Sequence, residues 1–107
     1  LVAYNVWLAE PDVELARRVA AAVRGPHLRA LGLAVGTRAQ VSMNLIDPDR
    51  LGPAEAYDSV AALAGVAGAE LVGLVPDAVL RGVDEGRWHE LDLAADRTIE
   101  ARLARRA

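Results

Sequence analysis

The sequence contains no cysteine, no phenylalanine and no lysine. Without cysteine, the chain can form no disulfide and offers no thiolate ligand to a metal. Without phenylalanine, the hydrophobic core must be built from aliphatic side chains and a few larger aromatic ones. Those aromatic residues are Tyr4, Trp7, Tyr57 and Trp88.

The chain also lacks a strong net charge and a long apolar run. Its formal charge of −3 gives no basic footprint for nucleic acid. No segment approaches the roughly 18 consecutive apolar residues of a membrane-spanning helix, and no signal peptide is visible, so a cytoplasmic location is expected. The length of 107 residues suits one domain. Because Leu1 opens directly into a strand pattern, we expect a piece of a longer protein.

The hydrophobic pattern predicts alternating strands and helices. Val2, Tyr4, Val6 and Leu8 form one face of a first strand, and helical spacing follows to Gly25. The remaining predicted elements are strands over 28–35 and within 39–48, a helix within 47–68, a strand over 69–76 buried on both faces, and short helices after 77. This βαββαβ order predicts an α+β, ferredoxin-like fold, a four-stranded antiparallel sheet with two helices on one face. The core spans about 2–76 and a helical tail about 77–107.

The turn after the second strand decides which side chains share a face. A two-residue turn at Gly36 and Thr37 would pair Leu33 with Gln40, mixing an apolar side chain with an amide. A three-residue loop would pair Leu33 with Val41 and keep the apolar rows together, so we predict the longer loop. Its opposite face would then set small residues beside amides and leave a shallow trough. The small residues are Ala30, Gly32 and Ala34.

The third strand, within "AQVSMNLIDP", has an unusual polar face. Gln40, Ser42 and Asn44 alternate with apolar residues, although Asn and Gln are poor choices for a strand face that only meets water. In a ferredoxin-like sheet the first and third strands are adjacent, so Asn5 and Trp7 should neighbour this row. Three interpretations remain open: a solvent-facing sheet, a face that packs on another sheet, or one wall of a ligand cleft.

Other residues give no sign of catalysis or metal binding. Neither His27 nor His89 has a carboxylate or a second histidine at metal-ligand spacing, and both are interpreted as structural or exposed. Ser42 has no base nearby in sequence. The carboxylates are scattered at helix starts and turns, and no phosphate-binding loop is present. We therefore predict no catalytic residue and no metal site in this chain.

Five segments together resemble the C-terminal subdomain of glutamate formiminotransferase. They are "VAYNVWL", "AQVSMNLIDP", "GPAEAYDSV", "AELVGLVP" and "RTIEARL", in the family's order and at family-like spacings. Each segment alone is a weak signal, and their combination is specific. The resemblance runs from Leu1 to about Leu103.

The resemblance implies transfer of a formimino group from N-formimidoyl-L-glutamate to tetrahydrofolate, in histidine breakdown. In that family two ferredoxin-like subdomains face each other with their sheets, helices lie outside, and folate binds between them. The family's catalytic histidine belongs to the N-terminal subdomain, which has no counterpart here. The resemblance thus implies half of an active site, with tetrahydrofolate as co-substrate and no metal.

The same resemblance names partners and site residues. The expected partners are the N-terminal subdomain, folate and formimidoyl-glutamate. Neither nucleic acid nor a membrane is expected as a partner. The positions that match the family on the helix-free face are Asn5, Gln40, Ser42 and Asn44, and Trp7 lies among them. We expect these five residues to contact folate or the facing subdomain. The donor, formimino or formyl, and the presence of a cyclodeaminase domain stay open.

Two other readings compete with this one. The first is a non-catalytic module that uses the same sheet face for binding or for forming a homodimer. The second is a stand-alone ligand-sensing domain of the same fold.

Overall fold

The computed structural model describes residues 1–106. The strands are β1 (Val2–Leu8), β2 (Leu28–Val35), β3 (Arg38–Leu45) and β4 (Val66–Val72). The helices are α1 (Val13–Val23), α2 (Pro53–Ala61), α3 (Asp77–Arg81) and α4 (Ile99–Arg106). Two short 3-10 turns, Glu85–Arg87 and Ala95–Arg97, lie in the tail between α3 and α4.

The four strands form one antiparallel sheet in the order β2-β3-β1-β4. α1 packs on β2 and β3, and α2 packs on β1 and β4. The core lies between this face and the helices, where Tyr4, Val6, Val41 and Met43 are almost completely buried. The structure therefore confirms the predicted α+β, ferredoxin-like arrangement.

The first helix begins where its sequence supplies a cap. The Asp12 side chain accepts a hydrogen bond from the backbone N–H of Leu15, at 3.1 Å, and this satisfies one of the free donors of the first turn. Ala16, Val19 and Ala20 face the sheet and are buried. The small size of two of these residues allows α1 to approach the sheet closely.

The predicted three-residue loop between β2 and β3 is wrong. Val35 pairs with Arg38, so the turn has only the two residues Gly36 and Thr37. Gly36 has φ +60°, as expected for the first central residue of a type II′ hairpin turn. Leu33 consequently pairs with Gln40, the mixed pairing that the sequence argument rejected.

This register exchanges the two faces of β2. Ala30 and Gly32 point toward α1, while Leu31 and Leu33 lie on the helix-free side and are exposed. The predicted trough of small residues beside the amides is therefore wrong. The physical reason is close helix packing: a Cβ at Gly32 would lie 2.3 Å from the backbone nitrogen of Arg17. Leucine side chains on this face would force α1 away from the sheet.

The fourth strand also differs from its prediction. It begins at Val66 and ends at Val72, not over 69–76. Leu71 is buried but Val72 is 48% exposed, so the strand is not covered on both faces. The continuous apolar run reflects one face against the helices and one face that nothing in residues 1–106 covers.

The tail seals the outer edge of β4. The Asp92 carboxylate accepts a hydrogen bond from the backbone N–H of Leu71 at 2.8 Å, and Arg97 donates to the carbonyl oxygens of Leu71 and Gly73. Deeper in the core, the Tyr4 hydroxyl donates to the Leu91 carbonyl at 2.8 Å. Among the described residues, no helix has the length and apolar character needed to cross a membrane.

Candidate functional site

The sheet surface opposite the helices carries every residue predicted for the site, and we call it the free face. Asn5 pairs with Ser42 and Trp7 pairs with Gln40 across β1 and β3. Asn44 follows two residues after Ser42 on the same side. The free face also includes Ala3 from β1, Arg38 from β3, Arg29, Leu31, Leu33 and Val35 from β2, and Gly68, Glu70 and Val72 from β4.

Gln40 is the central feature of the free face. Its residue is only 5% exposed, because Trp7 and Leu33 flank it on the neighbouring strands. Its side-chain amide makes no hydrogen bond within residues 1–106, yet neither amide atom is sealed from the surface. A nearly buried amide with free donor and acceptor capacity is suited to a partner that brings both kinds of group.

Trp7 carries a cation above its ring. The guanidinium carbon of Arg38 lies 4.0 Å from the ring centroid, within the range of a cation–π contact. Arg38 was not among the residues predicted for this face, because the predicted three-residue loop placed it inside the turn. The two-residue turn moves it to the start of β3 and onto the free face. Trp7 therefore presents a half-buried ring that is already stacked on one side by a positive charge.

Asn5 is partly engaged within the chain. Its Nδ2 lies 3.2 Å from Oε1 of Glu70 on β4, so it donates to that carboxylate. The carbonyl oxygen of the Asn5 side chain remains available as an acceptor. Glu70 is exposed, and it supplies the free face with a negative charge on the side away from Arg38.

Ser42 and Asn44 border a shallow depression beside β2. Its volume is about 370 Å³, and it is open to solvent. Asn44 is exposed and pairs across the strands with Arg29, while Ser42 is half-buried and pairs with Leu31. The depression is lined by Arg24, Arg29, Ala30, Leu31, Ser42 and Asn44. Its polar groups are donors and amides, so it could accept a carboxylate or a carbonyl.

Exposed apolar side chains accompany these polar groups. Leu31 is 63% exposed, and Leu33, Val35 and Val72 are between 38% and 48% exposed, all on the free face. Soluble monomers rarely gather large apolar side chains on one uncovered surface. These apolar side chains surround the amide of Gln40 on the free face.

The remaining candidates do not form a reaction centre among residues 1–106. Nδ1 of His27 lies 3.9 Å from Oδ2 of Asp47, which is beyond hydrogen-bond distance, and both are partly exposed. His89 is exposed on the tail. The described residues contain no group of three or more His, Asp or Glu side chains placed to hold a metal ion.

No protein-family model matches the chain, and no curated protein matches it.

Proposed function

We propose that the chain is the C-terminal half of a glutamate formimidoyltransferase and forms one wall of its folate cleft. In the complete enzyme, the formimino carbon would exchange its bond to the nitrogen of glutamate for a bond to a nitrogen of tetrahydrofolate. The proposal rests on the resemblance of the five sequence segments and on one structural observation. That observation is the unbonded, nearly buried amide of Gln40 among apolar side chains on the free face.

The free face would contribute binding and positioning, not proton transfer. Holding two substrates in reactive geometry supplies much of the rate gain in a transfer between two molecules. The ring of Trp7 would contact the flat part of a folate, and the amides of Gln40 and Asn44 would donate to and accept from its polar edge. The catalytic histidine would come from the N-terminal subdomain.

The first experiment separates half of a cleft from a complete one. Tetrahydrofolate is titrated by calorimetry into the 107-residue chain and, separately, into the same chain joined to its N-terminal subdomain. We expect no measurable binding to the chain alone and clear binding to the joined protein. Sub-micromolar binding by the chain alone would contradict a cleft shared between two subdomains.

The second experiment asks whether the amides contact the ligand. Gln40→Leu and Asn44→Leu are introduced into the joined protein, with Arg102→Leu on α4 as a surface control. A hydrogen bond lost from a buried site costs about 1–3 kcal/mol, so each amide variant should weaken folate binding roughly 5- to 150-fold. Unchanged folate affinity in both amide variants would reject the ligand role.

A second candidate function uses the same surface. The exposed side chains of Leu31, Leu33, Val35 and Val72 favour a binding module that pairs through the free face with a second copy. Sedimentation equilibrium of the chain distinguishes this candidate. A dimer that Leu33→Glu dissociates, together with no folate binding by the joined protein, would favour the module over the enzyme.

A further inference from the structure

The two edges of the sheet differ in how their outward backbone groups are hydrogen-bonded. At the β4 edge, Asp92 and Arg97 bind the outward backbone groups of Leu71 and Gly73. At the β2 edge, the backbone N–H of Gly25 donates to the Leu28 carbonyl at 3.0 Å, and the backbone N–H of Leu28 donates to the Gly25 carbonyl at 3.3 Å. Beyond Leu28, nothing in residues 1–106 is hydrogen-bonded to the outer side of β2.

The pairing of β2 with β3 shows which backbone groups point outward. Val35 and Arg38 close a two-residue hairpin, and such a pair is hydrogen-bonded to each other. Alternation then makes Leu33 and Leu31 bond to β3. The outward groups consequently belong to the residues between them: Ala30, Gly32 and Ala34.

These outward groups differ in accessibility along the edge. Ala34 is exposed and Gly32 is partly exposed, whereas Ala30 is 5% exposed and lies near the Arg24 side chain. Arg24 itself is exposed and is held by one hydrogen bond from its Nε to the Ala20 carbonyl, at 3.3 Å. An added strand would therefore bond first at Gly32 and Ala34, and Arg24 can move to admit it further.

The position of α1 limits what can add to this edge. The backbone of Arg17 lies directly beneath Gly32, because a Cβ there would come within 2.3 Å of its nitrogen. A second copy pairing through its own β2 would bring its α1 beside this one. Adjacent strands are about 4.8 Å apart, whereas packed helices need about 8–10 Å. A strand without a helix behind it avoids this contact between helices.

Charge selects the chemistry of that strand. Arg24 and Arg29 flank the Ala30 end of the edge, and Arg17 lies below its middle. Glu14 pairs with Arg17, so the unbalanced positive charge is that of Arg24 and Arg29. On the free face, the neighbours of an added strand would be Arg29, Leu31, Leu33 and Val35. An incoming segment would thus meet Arg24 on the side of α1 and, on the free face, apolar groups with Arg29 at the Ala30 end.

We propose that the β2 edge binds an extended acidic peptide segment by strand addition, with acidic side chains alternating with apolar ones. This mode uses backbone hydrogen bonds for affinity and alternate side chains for selectivity. It leaves the centre of the free face, with Trp7 and Gln40, uncovered. The proposal is therefore independent of the folate proposal, and either can fail without the other.

The test uses a blocked heptapeptide, Glu-Val-Glu-Thr-Glu-Val-Glu, titrated into the chain while amide exchange is followed by NMR. We expect slower exchange at Gly32 and Ala34 on binding, and little change at Leu31 and Leu33. The same peptide with lysine for glutamate should bind at least about tenfold more weakly, because it repels Arg24 and Arg29. Equal binding of both peptides, or no binding at millimolar concentration, would overturn the proposal.

Three variants separate strand addition from charge attraction. Ala34→Pro removes an outward N–H without touching the β3 ladder, and it should weaken binding about tenfold or more. Arg24→Gln should weaken binding about threefold, whereas Arg18→Gln, on the α2 side of the same helix, should have no effect. If Ala34→Pro does not fold, N-methylation of alternate peptide residues tests the same hydrogen bonds. Undiminished binding of the methylated peptide, or of the folded Ala34→Pro variant, would refute strand addition. If the arginines serve only to prevent edge-to-edge association, the acidic peptide will not bind and the proposal falls.

Discussion

Gly32 and the backbone of Arg17 are in such close contact that no side chain fits between them. A Cβ at Gly32 would lie 2.3 Å from the Arg17 nitrogen and 2.5 Å from the Ala16 carbonyl carbon. Both neighbours are backbone atoms of α1, which cannot rotate away as a side chain can. The distance between α1 and the sheet therefore depends on this glycine.

Gly32→Ala should lower the free energy of unfolding by about 1–3 kcal/mol, because α1 must shift to accept the methyl group. Gly68→Ala is the matched control, since a Cβ there meets nothing within 4 Å. Urea denaturation of both variants gives the comparison. A Gly32→Ala protein as stable as the Gly68→Ala protein would show that α1 does not pack as described.

Tyr4 ties the tail to the centre of the sheet. Its residue is fully buried, and its hydroxyl donates to the Leu91 carbonyl. Tyr4→Phe leaves that carbonyl without its donor, so we expect a loss of about 1–2 kcal/mol in urea denaturation. Tyr57→Phe serves as control, because Tyr57 is only half-buried. Equal stability of the two variants would argue against the Tyr4 hydrogen bond.

Burial also raises the pKa of Tyr4 well above its usual range, with the nearby Asp92 carboxylate adding to the effect. Tyr4 should therefore stay protonated in the folded chain through pH 10, the ordinary pKa of a tyrosine. Ultraviolet difference titration of the wild type against Tyr4→Phe checks this expectation. A phenolate signal near pH 10 that Tyr4→Phe abolishes, while the far-ultraviolet circular dichroism remains native, would contradict it.

Arg87 links α2 to the tail through a bidentate ion pair. Its guanidinium donates to both carboxylate oxygens of Asp58, at 2.8 and 2.9 Å, and also binds Glu90. The hydrogen bonds from Arg87 lower the pKa of Asp58. A carboxylate with a lowered folded-state pKa stabilises the fold above its unfolded pKa. That stabilisation is lost as the pH falls through the folded value.

Asp58→Asn should consequently cost stability at neutral pH and little in strong acid. Because the Asp58 side chain is 58% exposed, screening limits the cost to about 0.5–1 kcal/mol. The difference between wild type and variant should shrink as pH falls below about 4. Urea denaturation from pH 7 to pH 2 measures this trend. A difference that stays constant across this range would rule out the carboxylate as its source.

Replacing Gln40 distinguishes an effect on the stability of the chain from an effect on ligand binding. Its amide makes no hydrogen bond within residues 1–106, so Gln40→Leu should leave the stability of the chain unchanged or raise it by up to about 1 kcal/mol. If Gln40 had a purely structural role, its replacement would instead lower the stability of the protein. Thermal unfolding of the chain, beside folate affinity in the joined protein, tests both parts. Lower stability of Gln40→Leu would show that the amide serves the fold.

Much of the fold follows from the sequence because its periodicities are local. Alternation in β1 and β3, the helical spacing that ends at Gly25 and the βαββαβ order were sufficient to predict the sheet and the two helices on one face. The same alternation placed Asn5 and Trp7 beside Gln40, Ser42 and Asn44, and the strand register agrees. These features depend on residues that lie close together in the chain or on the connection order.

Only the tertiary structure decided the orientation of β2. From the sequence, burying Leu31 and Leu33 looked favourable, because hydrophobic burial is the usual guide to register. The structure exposes them instead, since α1 packs more tightly against Ala30 and Gly32 and the Gly36 turn permits the two-residue hairpin. The sequence by itself thus determined the elements, their order and the polar row on β3. The contact between α1 and Gly32 decided which apolar residues surround that row, because close packing between distant segments leaves no periodic signal.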